Sequence, residues 1–187
     1  MPVPRLELDD TGVMIIDVQD RVMSTIVDGP RVLDNASVLL KIAVFLDVPY
    51  LVTELDTSRQ GRTADDVAGS MSDPSSRIER SNVSAYVDLV RETLNTWQRP
   101  NLLIAGVEAH IAVLQTVLDL LQAGLPCFLC RDAISATPME QIEPAFRRME
   151  RAGAQVVDVR SAVLELLGDV HHPRYDDCVM LLGECSH

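Results

Sequence analysis

Short apolar runs alternating with longer segments of helical period constrain this chain more than any other feature. Val13 to Ile16, Tyr50 to Thr53, Leu102 to Ala105 and Cys127 to Cys130 are nearly continuous in apolar character. Strands read this way when both faces of a sheet are covered. Between them, Arg31 to Leu46 places apolar residues at 32, 33, 36, 39, 40, 43 and 46, a helical spacing. Ala85 to Trp97, Ala109 to Ala123 and Pro138 to Ala152 also read as helices, the last two followed by Gly124 and Gly153. Arg77 to Glu79 is a shorter candidate strand. Gln155 to Val159 is the last one, and Ser161 is the expected cap of a closing helix to Leu167. Strand, crossover helix and strand in repetition demand parallel pairing with helices on both sheet faces. The expectation is an α/β fold, a three-layer α/β/α arrangement around a mainly parallel, doubly wound sheet of about six strands. One domain over residues 1–187 is expected, with its core at about 8–167 and a tail at 168–187. The segment Thr57 to Ser76, rich in Ser, Asp, Gly and Arg, reads as a long loop with a short helix at Ala64 to Ala68. It is either a lid or a surface excursion.

Charge and cysteine usage narrow the function classes. The net charge of −12 opposes binding to phosphate backbones, so no nucleic-acid partner is expected. No apolar run reaches the roughly 18 residues of a membrane span, so no membrane partner is expected either. The first ten residues lack the apolar stretch of an export signal. Cys127, Cys130, Cys178 and Cys185 are too sparse for a disulfide scaffold, which makes the cytoplasm the expected compartment.

In doubly wound sheets, ligands bind beyond the carboxyl ends of strands, where strand order reverses. Asp17 follows the first strand, Arg80 the third, and Val107 to His110 the fourth. A carboxylate at the rim of the core, as Asp17 is, suits general acid or base work or a structural cap. The helix opening at Ala109 offers free N–H groups that could hold an anion or an oxyanion. A cysteine in its first turn would be an activated nucleophile. The residue there is Ala112, which has no such chemistry.

These residues together resemble the isochorismatase-like cysteine hydrolases. Gly106-Val107-Glu108-Ala109-His110-Ile111-Ala112 matches that family's signature, in which the last place is the nucleophilic cysteine. Ile15-Ile16-Asp17-Val18-Gln19-Asp20 resembles the first-strand motif with its catalytic aspartate. Ile78-Glu79-Arg80-Ser81-Asn82-Val83-Ser84-Ala85-Tyr86 resembles the middle motif, where lysine takes the third place. Arg131-Asp132-Ala133-Ile134-Ser135 resembles the segment after the next strand. The likeness runs in order from about Leu8 to Leu167 and is nearest to the short isochorismatase-domain proteins.

The resemblance implies that Asp17 is the catalytic aspartate, with Arg80 and Ala112 in the lysine and cysteine places. It implies a cis peptide at Val107–Glu108 and oxyanion donors at the N–H groups of Ile111 and Ala112. It sets Val107, Glu108, His110, Ile111, Gln19 and Tyr86 around a small-molecule ligand. Without a thiol, covalent acyl transfer has no nucleophile. Arginine is larger, planar and always charged, so it replaces lysine poorly, though it could pair with Asp17 or clamp an anion. The expected role is binding of a small carboxylate or acyl compound with cysteine-dependent amide hydrolysis impaired. The alternative is cysteine-free hydrolysis with Asp17 as general acid, as in true isochorismatases, which do keep the lysine. Two departures together, in a chain where Lys41 is the one lysine among 16 Lys and Arg, point to natural divergence.

Other features carry less. Cys127 and Cys130 lie three apart within a strand and should point to opposite faces, unlike a redox pair. His171 and His172 have no partner ligands at useful spacing, and the segment Thr53 to Thr57 has no histidine, so neither metal nor cofactor is expected. Lys41 reads as a surface charge. The apolar tail strip at Cys178 to Leu182 should dock on its own domain or on a neighbouring subunit, and the resemblance implies a homo-oligomer.

Overall fold

A computed structural model describes residues 3–186. In chain order, β1 (Thr11–Ile16) leads through the short α1 (Asp20–Met23) to α2 (Gly29–Phe45) and β2 (Tyr50–Leu55). Two single-turn helices, α3 (Thr57–Gln60) and α4 (Asp65–Ala68), precede β3 (Arg77–Arg80) and α5 (Asp88–Trp97). Then β4 (Asn101–Val107) runs into a π-helical turn at Ala109–Val113 and α6 (Leu114–Gln122). The chain continues with β5 (Cys127–Ser135), α7 (Ile142–Ala152), β6 (Gln155–Val157), α8 (Val159–Leu167) and α9 (Tyr175–Leu182).

The sheet has six strands in the order β3-β2-β1-β4-β5-β6, with every pairing parallel. The three-layer α/β expectation therefore holds. Alternation along β1 sends Val13 and Ile15 into a core with α2, α8 and α9, and Met14 and Ile16 into a second core with α5, α6 and α7. Met14, Ile15 and Ile16 are fully buried. Each such side chain contributes about 1.5–3 kcal/mol by leaving water. Cys130 lies in the first core and Cys127 in the second, on opposite sheet faces.

The crossover pattern places the reversal of strand order between β1 and β4. The chain leaves β1 towards β2 and leaves β4 towards β5, so a crevice opens at their carboxyl ends. Close approach there requires glycine: a Cβ on Gly106 would lie 2.4 Å from the Ile16 carbonyl oxygen, and its φ is 155°.

Several boundaries differ from the sequence reading. β5 is nine residues long because Ile134 resumes pairing with Gly106 after a bulge. The charged Arg131-Asp132 pair at that bulge masked the continuation. Helix α5 begins at Asp88, since Ala85 donates its backbone N–H to Thr116 Oγ1 at 2.8 Å and stays in a loop. The cap of α8 is Asp158, whose carboxylate accepts the Ser161 N–H at 2.8 Å. The segment from Thr57 to Ser76 contains the expected short helix, as α4, and adds α3 and a 3₁₀ turn at Pro74–Ser76. The tail also joins the core: Cys178 and Leu182 are buried in the α2 core, and Ser186 exchanges hydrogen bonds with Asn35. Lys41 is an exposed charge paired with Glu184 at 2.7 Å.

Candidate active site

β1 delivers Asp17 to the crevice with a left-handed φ of 55°, a conformation aspartate tolerates better than most residues. Its backbone N–H donates to the Thr53 carbonyl at 3.1 Å. Arg80, at the end of β3, reaches across β2 to the Asp17 carboxylate. Its Nη1 donates to Oδ1 at 2.7 Å and its Nη2 to Oδ2 at 2.8 Å, and Thr53 Oγ1 adds a donor to Oδ1 at 2.9 Å. The two side chains are 2% and 7% exposed, so this is a desolvated, two-pronged ion pair. The same guanidinium also donates from Nε to Ser84 O at 3.2 Å and from Nη2 to Val83 O at 3.1 Å. Arg80 is thus occupied by the protein and cannot clamp an anionic ligand.

A cavity of about 380 Å³ occupies the β1/β4 crevice. Asp17, Gln19, Val107, Glu108, Ile111 and Ala112 line it, joined by Arg21, Val22, Thr25, Leu55 and Gln60. Gln19 is fully buried and acts as a staple: it accepts the Leu55 N–H at 2.8 Å and donates to Leu55 O and Gly61 O. Arg21 Nη1 donates to Ser58 O at 2.8 Å. Gly61 turns this wall with a left-handed φ of 81°, a conformation that favours glycine. The segment after β2 is therefore bound down as a wall of the cavity. Arg21, Val22, Thr25, Leu55 and Gln60 escaped the sequence reading, because the folding-back of α1 and α3 onto the crevice leaves no motif.

From β4 the chain turns at Glu108, whose φ is 57°, into the π turn that carries Ala112. Ala112 is 2% exposed and presents its methyl group where the resemblance implies a thiol. Two expectations fail here. The Val107–Glu108 bond is trans, and the cis bond among the described residues is Thr137–Pro138. The Ile111 N–H is taken by the Glu108 carbonyl at 2.9 Å across a tight three-residue turn, so it is not a free oxyanion donor.

His110 does not line the cavity. It lies behind Glu108, with Nδ1 at 3.5 Å from Glu108 Oε2. Tyr86 also lies elsewhere, beside a separate surface cavity, under the Arg91 guanidinium at 5.7 Å. Arg80 supports the cavity through Asp17 without lining it.

No cysteine among the described residues lines this cavity. Burial pushes the Cys127 thiol up to about 12 and Cys185 up to about 11, and it raises Cys130 and Cys178 as well. All four are poor nucleophiles near neutral pH. Among the described residues, no group of three His, Cys, Asp or Glu side chains is placed to hold a metal ion. A larger cavity of about 450 Å³ beside the tail is lined by Arg31, Asp132 and Asp158 among others, and it contains none of the expected site residues.

The arrangement matches known proteins along nearly its whole length. The family profile described as Isochorismatase domain matches residues 11–161. The secreted isochorismatase effector Isc1 of Phytophthora sojae is 30% identical over 184 residues, covering 96% of this chain and 88% of that protein. A Caenorhabditis elegans structure described as MAR1 ribonuclease superposes with a TM-score of 0.91 at 26% identity, covering 96% of this chain and 92% of the other. An Escherichia coli structure, the YcaC gene product, described as an octameric hydrolase of unknown specificity, superposes with a TM-score of 0.90 at 21% identity, over 99% of this chain and 92% of its own. A match from β1 to the start of α8, with a 30% identical relative along almost the full chain, makes this protein a member of the isochorismatase domain family.

Proposed function

We propose that this chain binds a small acyl compound in the β1/β4 cavity and does not turn it over through a covalent thiol intermediate. One observation carries the reading: the cavity at the strand-order reversal ends on the Ala112 methyl group beside an Asp17 carboxylate already paired with Arg80. A volume of about 380 Å³ suits a small molecule. With Arg80 occupied, an uncharged acyl group fits the lining better than a free carboxylate does. The reading with Asp17 as general acid is disfavoured, because both of its oxygens accept hydrogen bonds and a proton on either would displace a donor.

The same proposal includes a homo-oligomer resident in the cytoplasm. Four free cysteines suit a reducing compartment. Ile111 at the cavity rim and Met139 after β5 are 42% and 65% exposed, apolar surface that a second copy would cover. The YcaC structure is described as octameric. No helix among the described residues is long and apolar enough to cross a membrane. The neighbour described as a ribonuclease does not extend to an RNA role here, since a net charge of −12 repels phosphates.

Calorimetry with acetamide, benzamide, acetate and benzoate tests the binding reading. The expected result is saturable amide binding in about the millimolar range for ligands of this size, weaker for the matching acids. Filling the cavity with Ala112→Phe should abolish it. Binding that survives Ala112→Phe would place the ligand elsewhere.

A further inference from the structure

Glu108 is the one lining carboxylate whose oxygens the protein leaves largely free. Asp17 shares the cavity, but Arg80 and Thr53 occupy both of its oxygens. Glu108 Oε2 lies 3.4 Å from the Thr137 backbone nitrogen and 3.5 Å from His110 Nδ1, both at the long limit of hydrogen bonding. Its Oε1 has no protein partner among the described residues. His110 Nδ1 is buried without a hydrogen-bond partner, and such a nitrogen calls for a physical reason. The backbone supplies a second sign. A glutamate at φ 57° is in a strained left-handed conformation, and the turn from β4 into the helix holds it there. Ala112 lies four residues further along the same turn and also lines the cavity.

We infer that Glu108 is the general base of a thiol-free hydrolysis of small uncharged esters. This rests on the reading that the cavity takes acyl compounds. A water seated over Ala112 adds to the acyl carbon while Glu108 Oε1 takes its proton. The new bond joins the water oxygen to the acyl carbon, and the acyl C–O bond to the leaving group breaks. The proton then passes from Glu108 to the leaving oxygen, so the products are a carboxylic acid and an alcohol. No thioester forms. His110 is a positioning residue that faces Oε2 and leaves Oε1 for the water.

The test follows release of p-nitrophenol from p-nitrophenyl acetate by the unaltered protein, Glu108→Gln and Glu108→Asp, with benzamide binding measured on each. The unaltered protein should exceed the blank. Glu108→Gln should lower the rate about 100-fold or more, while Glu108→Asp keeps a measurable part. The rate should fall in D₂O, and peptide mapping should find no acetyl group on Cys185 or His110. Release that is unchanged in Glu108→Gln, or accounted for by acetylated protein, overturns the inference. So does benzamide binding without release above the blank, which leaves the binding reading intact. A chain that neither binds nor hydrolyses overturns both. Should Glu108→Gln fail to fold, the D₂O rate and the acetyl mapping on the unaltered protein decide.

Discussion

At the scale of single residues, the Arg80 guanidinium holds the Asp17 carboxylate in place. A planar fork matches both carboxylate oxygens at once, and Arg80 uses it on Asp17 at 2.7 and 2.8 Å. Burial makes the pair intolerant of losing one partner. Arg80→Ala should cost about 3–5 kcal/mol, because it leaves the Asp17 carboxylate buried without a counter-charge. Urea denaturation measures this, and Arg80→Lys should cost less because it keeps the charge. An Arg80→Ala loss below about 1 kcal/mol, the range of an exposed pair, would contradict the buried geometry. The resemblance placed Asp17 and Ala112 at the crevice, and both line its cavity. It could not place His110 or Tyr86, because side-chain direction at a π turn and in a loop follows local backbone angles that a motif does not encode.

At the scale of elements, α8 shows how two neighbouring aspartates act in opposite senses. Burial works to raise Asp158, but hydrogen bonds from the Ser161 hydroxyl and backbone N–H outweigh it and hold its carboxyl below the usual 3.8. Its contribution is present above the unfolded value and is lost as pH falls through the depressed folded one. Asp158→Ala should cost about 1 kcal/mol near neutral pH, read by denaturation, and the difference should shrink on acidification. Asp132 accepts the Val159 N–H at 3.0 Å, yet burial in the β5 bulge pushes its carboxyl above 3.8. A raised folded value gives stability below the unfolded one that is lost as pH rises through it. Stability curves for Asp132→Asn and the unaltered protein should therefore move in favour of Asn from acid towards neutral pH. A gap that moves the other way would mean that the Val159 bond outweighs burial.

The legibility of elements in the sequence follows the same physics. β1, β2 and β4 were readable because strands covered on both faces must be apolar throughout. The far half of β5 was not, since the charged Arg131 and Asp132 interrupt its apolar run at a bulge. Helix α4 was legible as the short helix expected at Ala64 to Ala68, but the α3 turn was hidden for a different reason. It and the residues after it are held by Gln19, Arg21 and Glu54, and Glu54 Oε1 accepts both the backbone and hydroxyl donors of Thr63 at 2.7 and 2.6 Å. Such long-range polar bonds leave no periodicity.

At the scale of the molecule, the sheet order sets the site, and the exposed apolar surface underlies the proposed assembly. Strand order reverses between β1 and β4, so the cavity forms there whatever chemistry its residues supply. Sedimentation should give a mass that is a multiple of 20.6 kDa, and Met139→Glu should lower it if that surface is covered by a second copy. A single 20.6 kDa species at high concentration would contradict the assembly. The central proposal is that Ala112 stands where a nucleophile would sit, in one cavity with the Asp17 carboxylate. Peptide mapping of the Ala112→Cys, Arg80→Lys double variant after exposure to p-nitrophenyl acetate tests it most directly. The account predicts an acetyl group on position 112, formed faster than on the four native cysteines. Acetyl groups on the native cysteines with none at 112 would contradict it.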